Sequence, residues 1–264
     1  MAKPGKKPTW VVEKEREARG QGPQRVWLFG LHAVRDALRN PARVRHKLLI
    51  TPNALNKLEA DIAAAGIAPD VVDPRKFKAP IDPQSVHQGV ALEVDPLDWG
   101  SVSERCAPRG EKPLVLLLDR VSDPHNVGAI LRSAEVFGAR AVIAPLRHAA
   151  PETGALAKTA SGALERQPYL RVRNLANAMG ALTEMGYATI GLDGTAEQDL
   201  EPALDLVRDM PLALALGAEG PGLRDLTKKN CDGLARIPFA GPFASLNVSN
   251  AAAVALYAAG RLRG

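Results

Sequence analysis

The residues best suited to chemistry lie in three short segments in the second half of the chain. The first, DRVSDPHNVGAILRSAE, carries Asn126 and Arg132 on the first turns of a predicted helix. The second, LALGAEGPGL, has Glu219 inside a glycine-rich turn. The third, IPFAGPFASLNVSN, has Ser245 and Asn247 just before a helix of small residues. Amide, hydroxyl and carboxylate groups orient a substrate, and a guanidinium binds phosphate or stabilises negative charge.

Each segment follows a predicted strand. PLVLLLD is a continuous apolar run and predicts a buried parallel strand before the first segment. PLALALG predicts another before the glycine turn, and a third predicted strand ends at Ile237. Ligands of open α/β sheets bind outside the carboxyl ends of the strands. We therefore expect one cleft there, where free N–H groups at a helix N-terminus attract anions and acceptor atoms.

The glycine turn runs from Gly217 to Gly222 and matches neither G-x-G-x-x-G nor G-x-x-x-x-G-K-[ST]. The usual dinucleotide and phosphate-loop interpretations therefore lose support. Three glycines in six positions still let a planar ligand lie against the main chain, because glycine has no Cβ in the way. Plainer interpretations also exist, with Arg132 as a solvated helix residue and Glu219 as a loop carboxylate. Gly194, after another predicted strand, is a weaker pocket candidate.

Alternating strand and helix patterns predict two α/β units. We expect a small domain at 25–98, a linker at 99–113 and a second domain at 114–264. Helical spacing in the first domain predicts a buried face made of Ala33, Val34, Ala37 and Leu38, and a second helix that ends at Gly66. In the second domain it predicts a core-facing set made of Ile130, Leu131, Ala134 and Phe137, with Arg132 exposed, and a further helix across 151–165.

Composition limits the function classes. Hydrophobic residues make up 46% of the 264, enough for a core, and aromatics only 4%, which disfavours RNA recognition by a stacked aromatic platform. Residues 1–25 hold seven Lys or Arg and three Glu, so they carry +4 of the net +5. Residues 1–24 thus form a basic tail that we expect to be flexible. It is either an electrostatic tether to RNA phosphates or a solvated terminus.

Cysteine and histidine spacing indicates no metal site and no disulfide framework. Cys106 and Cys231 are far apart, and neither belongs to a C-x-x-C pair. The N-terminus lacks the apolar core of a secretory signal, and no run approaches the ~20 apolar residues of a membrane span. We expect a soluble cytoplasmic protein with no membrane partner and no metal.

In this order and spacing, the three segments resemble the motifs of the SpoU/TrmH (SPOUT) family of S-adenosylmethionine-dependent RNA ribose 2′-O-methyltransferases. The match spans essentially all of residues 114–262. Through FGLHAVRDAL and VHQGVALEV, the first domain resembles the substrate-binding domain of the subgroup that methylates a guanosine of bacterial 23S ribosomal RNA. Pro242 and Phe243 in a variable loop, and Asn250 at a position more often small and apolar, depart from the pattern.

The resemblance implies a fold, a cofactor and partners. The fold is a small L30e-like α/β substrate-binding domain followed by an α/β methyltransferase domain threaded into a trefoil knot. The cofactor is S-adenosylmethionine, with Gly217, Ile237 and Leu246 lining its pocket largely through main-chain groups. The partners are ribosomal RNA and a second copy of the chain, because the family works as a homodimer with residues contributed across the interface.

The resemblance also implies catalytic roles. Arg132 acts at the ribose hydroxyl, while Asn126, Glu219, Ser245 and Asn247 position the substrate and Arg132. A guanidinium hardly loses its proton, so Arg132 is a poor candidate for a general base. We instead expect Arg132 to grip the adjacent phosphate and stabilise the forming alkoxide, with the reacting atoms ~3–3.5 Å apart.

Two other function classes make different predictions. A catalytically silent RNA-binding or ribosome-assembly protein would lack Arg132, Asn247 or the glycine turn, and all are present. A dinucleotide enzyme would show G-x-G-x-x-G with an acidic residue ~20 positions on, and that turn is missing. Transfer RNA is the competing substrate within the leading class, and the separate first domain argues against it by resemblance.

Overall fold

The computed structural model describes residues 25–82, 84–239 and 246–263. These residues form two α/β units, each built on its own sheet. The predicted class, a small α/β domain followed by a larger α/β domain, is confirmed. The trefoil knot stays a prediction, because residues 240–245, which lead into the last helix, lie outside the described segments.

The first unit is a four-stranded sheet with two helices. Its strands are β1 (Val26–Phe29), β2 (Arg45–Ile50), β3 (Pro69–Val71) and β4 (Val90–Val94), in the order β1-β4-β2-β3. Strand β4 runs antiparallel to β1 and β2, and β3 is parallel to β2. Helix α1 (Leu31–Arg39) buries the predicted face of Ala33, Val34, Ala37 and Leu38. Helix α2 (Pro52–Ala65) ends at Gly66, whose φ of 65° is the left-handed conformation that glycine favours.

The segment between the two units packs against the second one. Helix α3 (Val102–Cys106) is capped by Ser101, whose hydroxyl oxygen accepts the N–H of Glu104, while the Glu104 carboxylate accepts the N–H of Ser101. Cys106 is fully buried, and its carbonyl accepts a 2.6 Å hydrogen bond from the Tyr187 hydroxyl. The predicted linker therefore has a fixed path along the second unit.

The second unit is a parallel sheet covered by helices on both faces. Its strands are β5 (Leu114–Asp119), β6 (Ala141–Pro145), β7 (Tyr169–Val172), β8 (Ala188–Leu192), β9 (Leu212–Gly217) and β10 (Gly233–Ala235), in the order β10-β8-β9-β5-β6-β7. Its helices are α4 (Pro124–Val136), α5 (Gly154–Ala160), α6 (Leu175–Glu184), α7 (Leu200–Leu206), α8 (Asp225–Lys229) and α9 (Val248–Arg263). Every residue of β5 is buried, as predicted for a parallel strand. Strand β9 pairs with β5, so the loops after these two strands leave the same edge of the sheet.

Two expectations at element ends are wrong. Phe137 was expected in the core, but it lies one residue past α4, is 37% exposed and meets the Tyr257 ring edge-on at 6.2 Å. The chain turns at Gly138, with φ 69°, which carries Phe137 off the buried face of α4. The strand expected to end at Ile237 is shorter, because β10 ends at Ala235.

Two helical expectations also change. The helix predicted across 151–165 is split, since Ser161 takes a φ of 48° after α5 and a short 3₁₀ turn follows at Ala163–Glu165. Helix α7 lies in a stretch whose mixed polar composition concealed it. It buries Leu200, Ala203 and Leu204, which have helical spacing.

A buried group of charges, the junction charge cluster (Arg43, Glu152 and Glu165), joins the two units. The Arg43 side chain is fully buried and donates to Glu165 at 2.6 and 3.0 Å and to Glu152 at 2.5 Å. Asn40 adds a 2.9 Å bond to the Glu165 carboxylate. Burial raises the pKa of Glu152, and the positive charge of Arg43 opposes that shift. Because a buried charge without its partner is unfavourable, this cluster fixes the orientation of the units.

The first turn of α5 lies directly against β1. A Cβ on Gly154 would lie 2.4 Å from both the Phe29 ring and the Trp27 carbonyl oxygen. The two units therefore touch through main chain as well as through the junction charge cluster.

None of the helices in the described segments has both the length and the apolar character needed to cross a bilayer. The same residues contain no grouping of three or more His, Cys, Asp or Glu side chains that could hold a metal ion.

Candidate active site

The glycine turn is fixed by main-chain contacts. Gly217 ends β9 opposite Asp119 of β5. The Gly222 N–H donates to the Ala218 carbonyl at 2.9 Å, and Gly220 and Gly222 take positive φ angles of 81° and 68°. A Cβ on Gly217 would lie 2.0 Å from the carbonyl carbon of Gly222. The turn folds back so closely that only glycine fits at position 217.

A buried carboxylate holds the chain that follows the turn. Asp119 is wholly buried and accepts the Arg224 N–H at 3.0 Å, the Arg224 Nε at 2.7 Å and the Thr227 hydroxyl at 2.7 Å. These bonds satisfy a charge that would otherwise be unfavourable inside the protein. We assigned Asp119 no role from the sequence, although an acidic residue ending an apolar run was the available signal.

Asn247 connects the three segments singled out in the sequence. Its Oδ1 accepts the Ser249 N–H at 2.9 Å and the Ser249 hydroxyl at 2.5 Å, which caps α9. Its Nδ2 donates to Asn126 Oδ1 at 3.0 Å and to the Glu219 carboxylate. This network uses both hydrogens of the amide and fixes its orientation. Ser245, the remaining predicted positioning residue, lies outside the described residues.

A cavity of about 550 Å³, the glycine-turn cavity, opens between this turn and the N-terminus of α9. Its volume is within the ~300–1,000 Å³ of typical small-molecule sites. The three residues predicted to hold the cofactor, Gly217, Ile237 and Leu246, line it together with Glu219 and Asn247. Further apolar lining comes from Leu192, Leu216, Ala235, Phe239, Val248 and Ala251. This mixture suits a ligand with a flat apolar part and polar ends.

Asp193 and Gly194 also line the glycine-turn cavity; the sequence indicates Gly194 only weakly and Asp193 belongs to no predicted motif. Asp193 pairs with Lys228 at 2.5 Å and accepts the Thr195 N–H at 2.9 Å. The hydrogen bond from Lys228, assisted by Thr195, lowers the pKa of the Asp193 carboxyl to about 2. Asp193 is therefore ionised at neutral pH. Its position at the end of β8 was the signal for a role at this edge.

Among the described residues of one subunit, Arg132 lines a surface separate from the glycine-turn cavity. It is exposed on α4, six residues or ~9 Å along the helix axis beyond Asn126. With His125, Lys158 and Thr159 it lines a cleft of about 510 Å³, the Arg132 cleft. The arginine and lysine charges suit a phosphate-bearing ligand. The predicted catalytic residues are thus divided between two surfaces, and their roles stay predictions.

Comparison with known proteins gives two family matches and close relatives. Residues 113–257 match the SpoU rRNA Methylase family, and residues 27–99 match the family described as RNA 2′-O ribose methyltransferase substrate binding. The 23S rRNA (guanosine-2′-O-)-methyltransferase RlmB of Pseudomonas putida is 40% identical over 243 residues, covering 89% of this chain and 96% of the relative. The putative TrmH family tRNA/rRNA methyltransferase YacO of Bacillus subtilis is 32% identical, covering 91% and 97%.

Solved structures share the fold. The SpoU methyltransferase AviRb from Streptomyces viridochromogenes, in complex with the cofactor AdoMet, has a TM-score of 0.74 at 25% identity, covering 95% of this chain and 93% of that one. A putative TrmH-family RNA methyltransferase from Porphyromonas gingivalis has a TM-score of 0.70 at 26% identity, covering 94% and 92%. Because one family model covers more than half of the sequence and a relative 40% identical spans most of it, this chain belongs to the SpoU rRNA methylase family.

Proposed function

We propose that this protein transfers a methyl group from S-adenosylmethionine to a ribose 2′-hydroxyl of RNA, at a guanosine of 23S ribosomal RNA. The proposal is carried by the glycine-turn cavity, in a chain 40% identical to an enzyme named for that reaction. Residues 25–98 present the RNA, residues 99–113 link the units, and residues 114–264 hold the donor in a knotted domain. The basic tail at 1–24 adds attraction to phosphates, and the enzyme works in the cytoplasm.

The glycine-turn cavity has the features that S-adenosylmethionine requires. The tight turn at Gly217 exposes main-chain groups with no side chain in the way. Ile237 and Leu246 supply apolar walls for an adenine ring. The N-terminus of α9 favours a negative group such as a carboxylate. When bound, the donor supplies an electrophilic methyl group on a sulfonium, so the protein's task is alignment and help for the attacking oxygen.

Arg132 supplies that help in this proposal. Its guanidinium binds the phosphate beside the target ribose, with Lys158 in the same cleft as a second cation. A guanidinium keeps its proton, so Arg132 acts by stabilising the charge that grows on the 2′-oxygen. Asn126, Glu219 and Asn247 hold the edge of the donor site against α4, which carries Arg132.

A homodimer would reunite the two surfaces, with Arg132 of one subunit completing the glycine-turn cavity of the other. Helices α4 and α9 present an exposed apolar face made of Val136 (76% exposed), Phe137, Val254 (42%) and Tyr257 (53%). Such a patch is typical of protein interfaces. Arg132 and Val136 lie one turn apart on α4, so a partner that covers this face also comes next to Arg132.

Methyl transfer to defined RNAs tests the proposal. The protein is incubated with S-adenosylmethionine labelled on the methyl group and with 23S ribosomal or transfer RNA, and the labelled nucleotide is mapped. We expect an alkali-resistant 2′-O-methyl group on a guanosine of 23S ribosomal RNA. Label in transfer RNA alone would show that the substrate is transfer RNA and not 23S ribosomal RNA. RNA binding without any label would favour the silent RNA-binding alternative.

Arg132→Ala tests the role of the guanidinium. We expect turnover to fall at least ~10²-fold, because the variant loses a preorganised charge at the reacting oxygen. Calorimetric affinity for S-adenosylhomocysteine should stay unchanged. Arg208→Ala is the matched control, since Arg208 is an exposed arginine with only surface ion pairs. Full turnover in Arg132→Ala would remove this residue from the mechanism.

Mixing two variants tests the dimer, at a limiting S-adenosylmethionine concentration where each variant alone is nearly inactive. If each site combines Arg132 from one subunit with Gly217 from the other, a heterodimer of Arg132→Ala and Gly217→Ala retains one intact site. Random exchange in a two-fold dimer then restores about a quarter of the wild-type activity. If each site is built within one subunit, mixing the variants restores no activity.

A further inference from the structure

A second cavity, the junction cavity, lies where the two units meet and measures about 980 Å³. Its walls come from β1, the loop before β4, the linker, the start of α5 and β7. Two of the chain's three tryptophans, Trp27 and Trp99, line it together with Phe29. The low aromatic content of the sequence disfavours recognition by base stacking, but the fold gathers these rings in one place.

Trp99 carries a hydrogen-bond donor that is not used. Its Nε1 is buried and has no partner among the described residues. The ring is held by Arg105, whose guanidinium lies 5.6 Å from the ring centroid and whose Nε donates to the Trp99 carbonyl at 3.2 Å. A buried N–H without a partner is unfavourable, so a shift of the ring that presents Nε1 to an acceptor atom in the cavity would be favourable.

The charges that line the junction cavity balance, which suits an uncharged polar ligand. They belong to three carboxylates and three arginines: Asp82, Asp98, Glu152, Arg25, Arg171 and Arg173. The Arg171 guanidinium is already bound to main-chain carbonyls, including Ala150 at 2.7 Å. Carboxylate oxygens repel phosphate, yet they accept hydrogen bonds from the N–H groups on the edge of a nucleobase.

The junction cavity adjoins the Arg132 cleft. Phe29, Asp82, Ser85 and Ala155 line both. An RNA strand whose phosphate lies at Arg132 therefore has a path along this shared wall to the tryptophans.

We propose that the junction cavity binds one unstacked nucleobase of the RNA substrate, at a nucleotide other than the one that is methylated. The base lies beside Trp27 and Trp99, and a shift of the Trp99 ring lets Nε1 donate to one of its acceptor atoms. Sequence-specific recognition of RNA relies on such exposed bases, which stack on aromatic rings and present their edges to polar groups. This inference rests on the proposed function, since the path begins at the acceptor site, and it adds a second point at which the substrate is selected.

Tryptophan emission tests the proposal directly. In a full-length Trp10→Phe protein, Trp27 and Trp99 are the two remaining indoles. We expect a single-stranded RNA 10-mer to quench their emission saturably. Duplex RNA of the same sequence, whose bases are stacked, should quench far less at equal salt. Equal quenching by the duplex, or none by the single strand, would overturn the proposal.

Two variants test the cavity itself. Trp99→Phe keeps a ring but removes the donor, and Leu146→Trp fills the cavity from a position that is 51% exposed. We expect each to raise the Kd for labelled single-stranded RNA, measured by anisotropy, and the KM for ribosomal RNA by about 3- to 10-fold. The kcat at saturating RNA and the affinity for S-adenosylhomocysteine should not change. Leu206→Trp, at a 78% exposed position on α7, is the control and should change neither constant.

The outcomes separate this inference from the proposed function. If the wild type methylates no RNA but the quenching and the rise in Kd of both variants hold, the proposed function fails and the junction cavity remains a base-binding site. Normal methylation with an unchanged KM in both variants would overturn the inference alone. Deleting residues 1–24 should leave the quenching amplitude unchanged. If the deletion greatly increased the affinity for RNA, the chain's own tail would be the natural occupant of the cavity, and the inference would be overturned.

Discussion

Gly217→Ala tests whether the path of the main chain shapes the glycine-turn cavity. The added Cβ would lie 2.0 Å from the Gly222 carbonyl carbon, 2.2 Å from the Leu223 nitrogen and 2.3 Å from the Gly222 oxygen. All three atoms belong to the backbone, so none can rotate away. Real Cβ atoms essentially never lie closer than 3.0 Å to such a neighbour. To reach even that separation, the turn must move by about 1 Å.

That movement disrupts the hydrogen bond from Gly222 to Ala218. Overpacking costs ~1–3 kcal/mol and the lost bond ~0.5–1.5 kcal/mol, so we expect a destabilisation of about 2–4 kcal/mol. In a chain of this size each kcal/mol lowers the Tm by ~2–4 °C, which predicts a fall of about 4–16 °C. The affinity for S-adenosylhomocysteine should fall at least ~10-fold, because the displaced turn no longer fits the ligand.

Thermal unfolding and calorimetric titration with S-adenosylhomocysteine measure the two effects separately. Gly180→Ala is the matched control, because Gly180 lies inside α6 and an added Cβ meets nothing within 4 Å. Helix propensity predicts a gain of about 1 kcal/mol for this control and an unchanged affinity. If Gly217→Ala melts and binds like the wild type, close main-chain approach does not shape the site and the reasoning is refuted.

Three further predictions concern the helix cap, the domain junction and the thiols. Asn247→Ala removes the α9 cap and its side-chain bridges, so urea unfolding should show a loss of about 1–2 kcal/mol; an unchanged midpoint would contradict the capping role. Arg43→Ala leaves buried glutamates without their partner and should cost ~3–5 kcal/mol in the same assay, whereas a loss below 1 kcal/mol would show that the junction relaxes. Burial raises the pKa of Cys106 to about 11 and of Cys231 to about 12, so both thiols stay protonated at pH 8. An aromatic disulfide reagent should then find no fast-reacting thiol in the native protein and two after denaturation, and a fast native reaction would contradict the burial.

Local patterns were enough to predict most of the fold. The apolar run of β5, the spaced alanines and leucines of α1 and the stop at Gly66 all depend on neighbours within one element. The three chemistry-bearing segments were also visible locally, because each begins where a strand ends. The structure places Asn126, Glu219 and Asn247 in contact, although their catalytic roles are still predictions.

Features that depend on distant partners were not predictable in the same way. Asp119 and Arg224 are 105 residues apart, and only the pairing of β5 with β9 brings them together. Arg132 shares a motif with Asn126, but six residues of helix turn it by about 240° and carry it ~9 Å along the axis. The two side chains therefore face different surfaces of one subunit, which motif spacing alone did not reveal.

The junction charge cluster has a consequence for how the chain is made. Arg43 is synthesised long before its partners, since Glu152 and Glu165 lie 109 and 122 residues downstream. At ~5–20 residues per second, roughly 6–25 s separate the guanidinium from its last carboxylate. Once β4 has been made and has paired with β1, the nascent first unit presents an unneutralised cation and the open flank of β1 to the surroundings until Glu165 arrives. A translational pause before α5 lengthens the period in which that flank is open, and the arrival of α5 ends it.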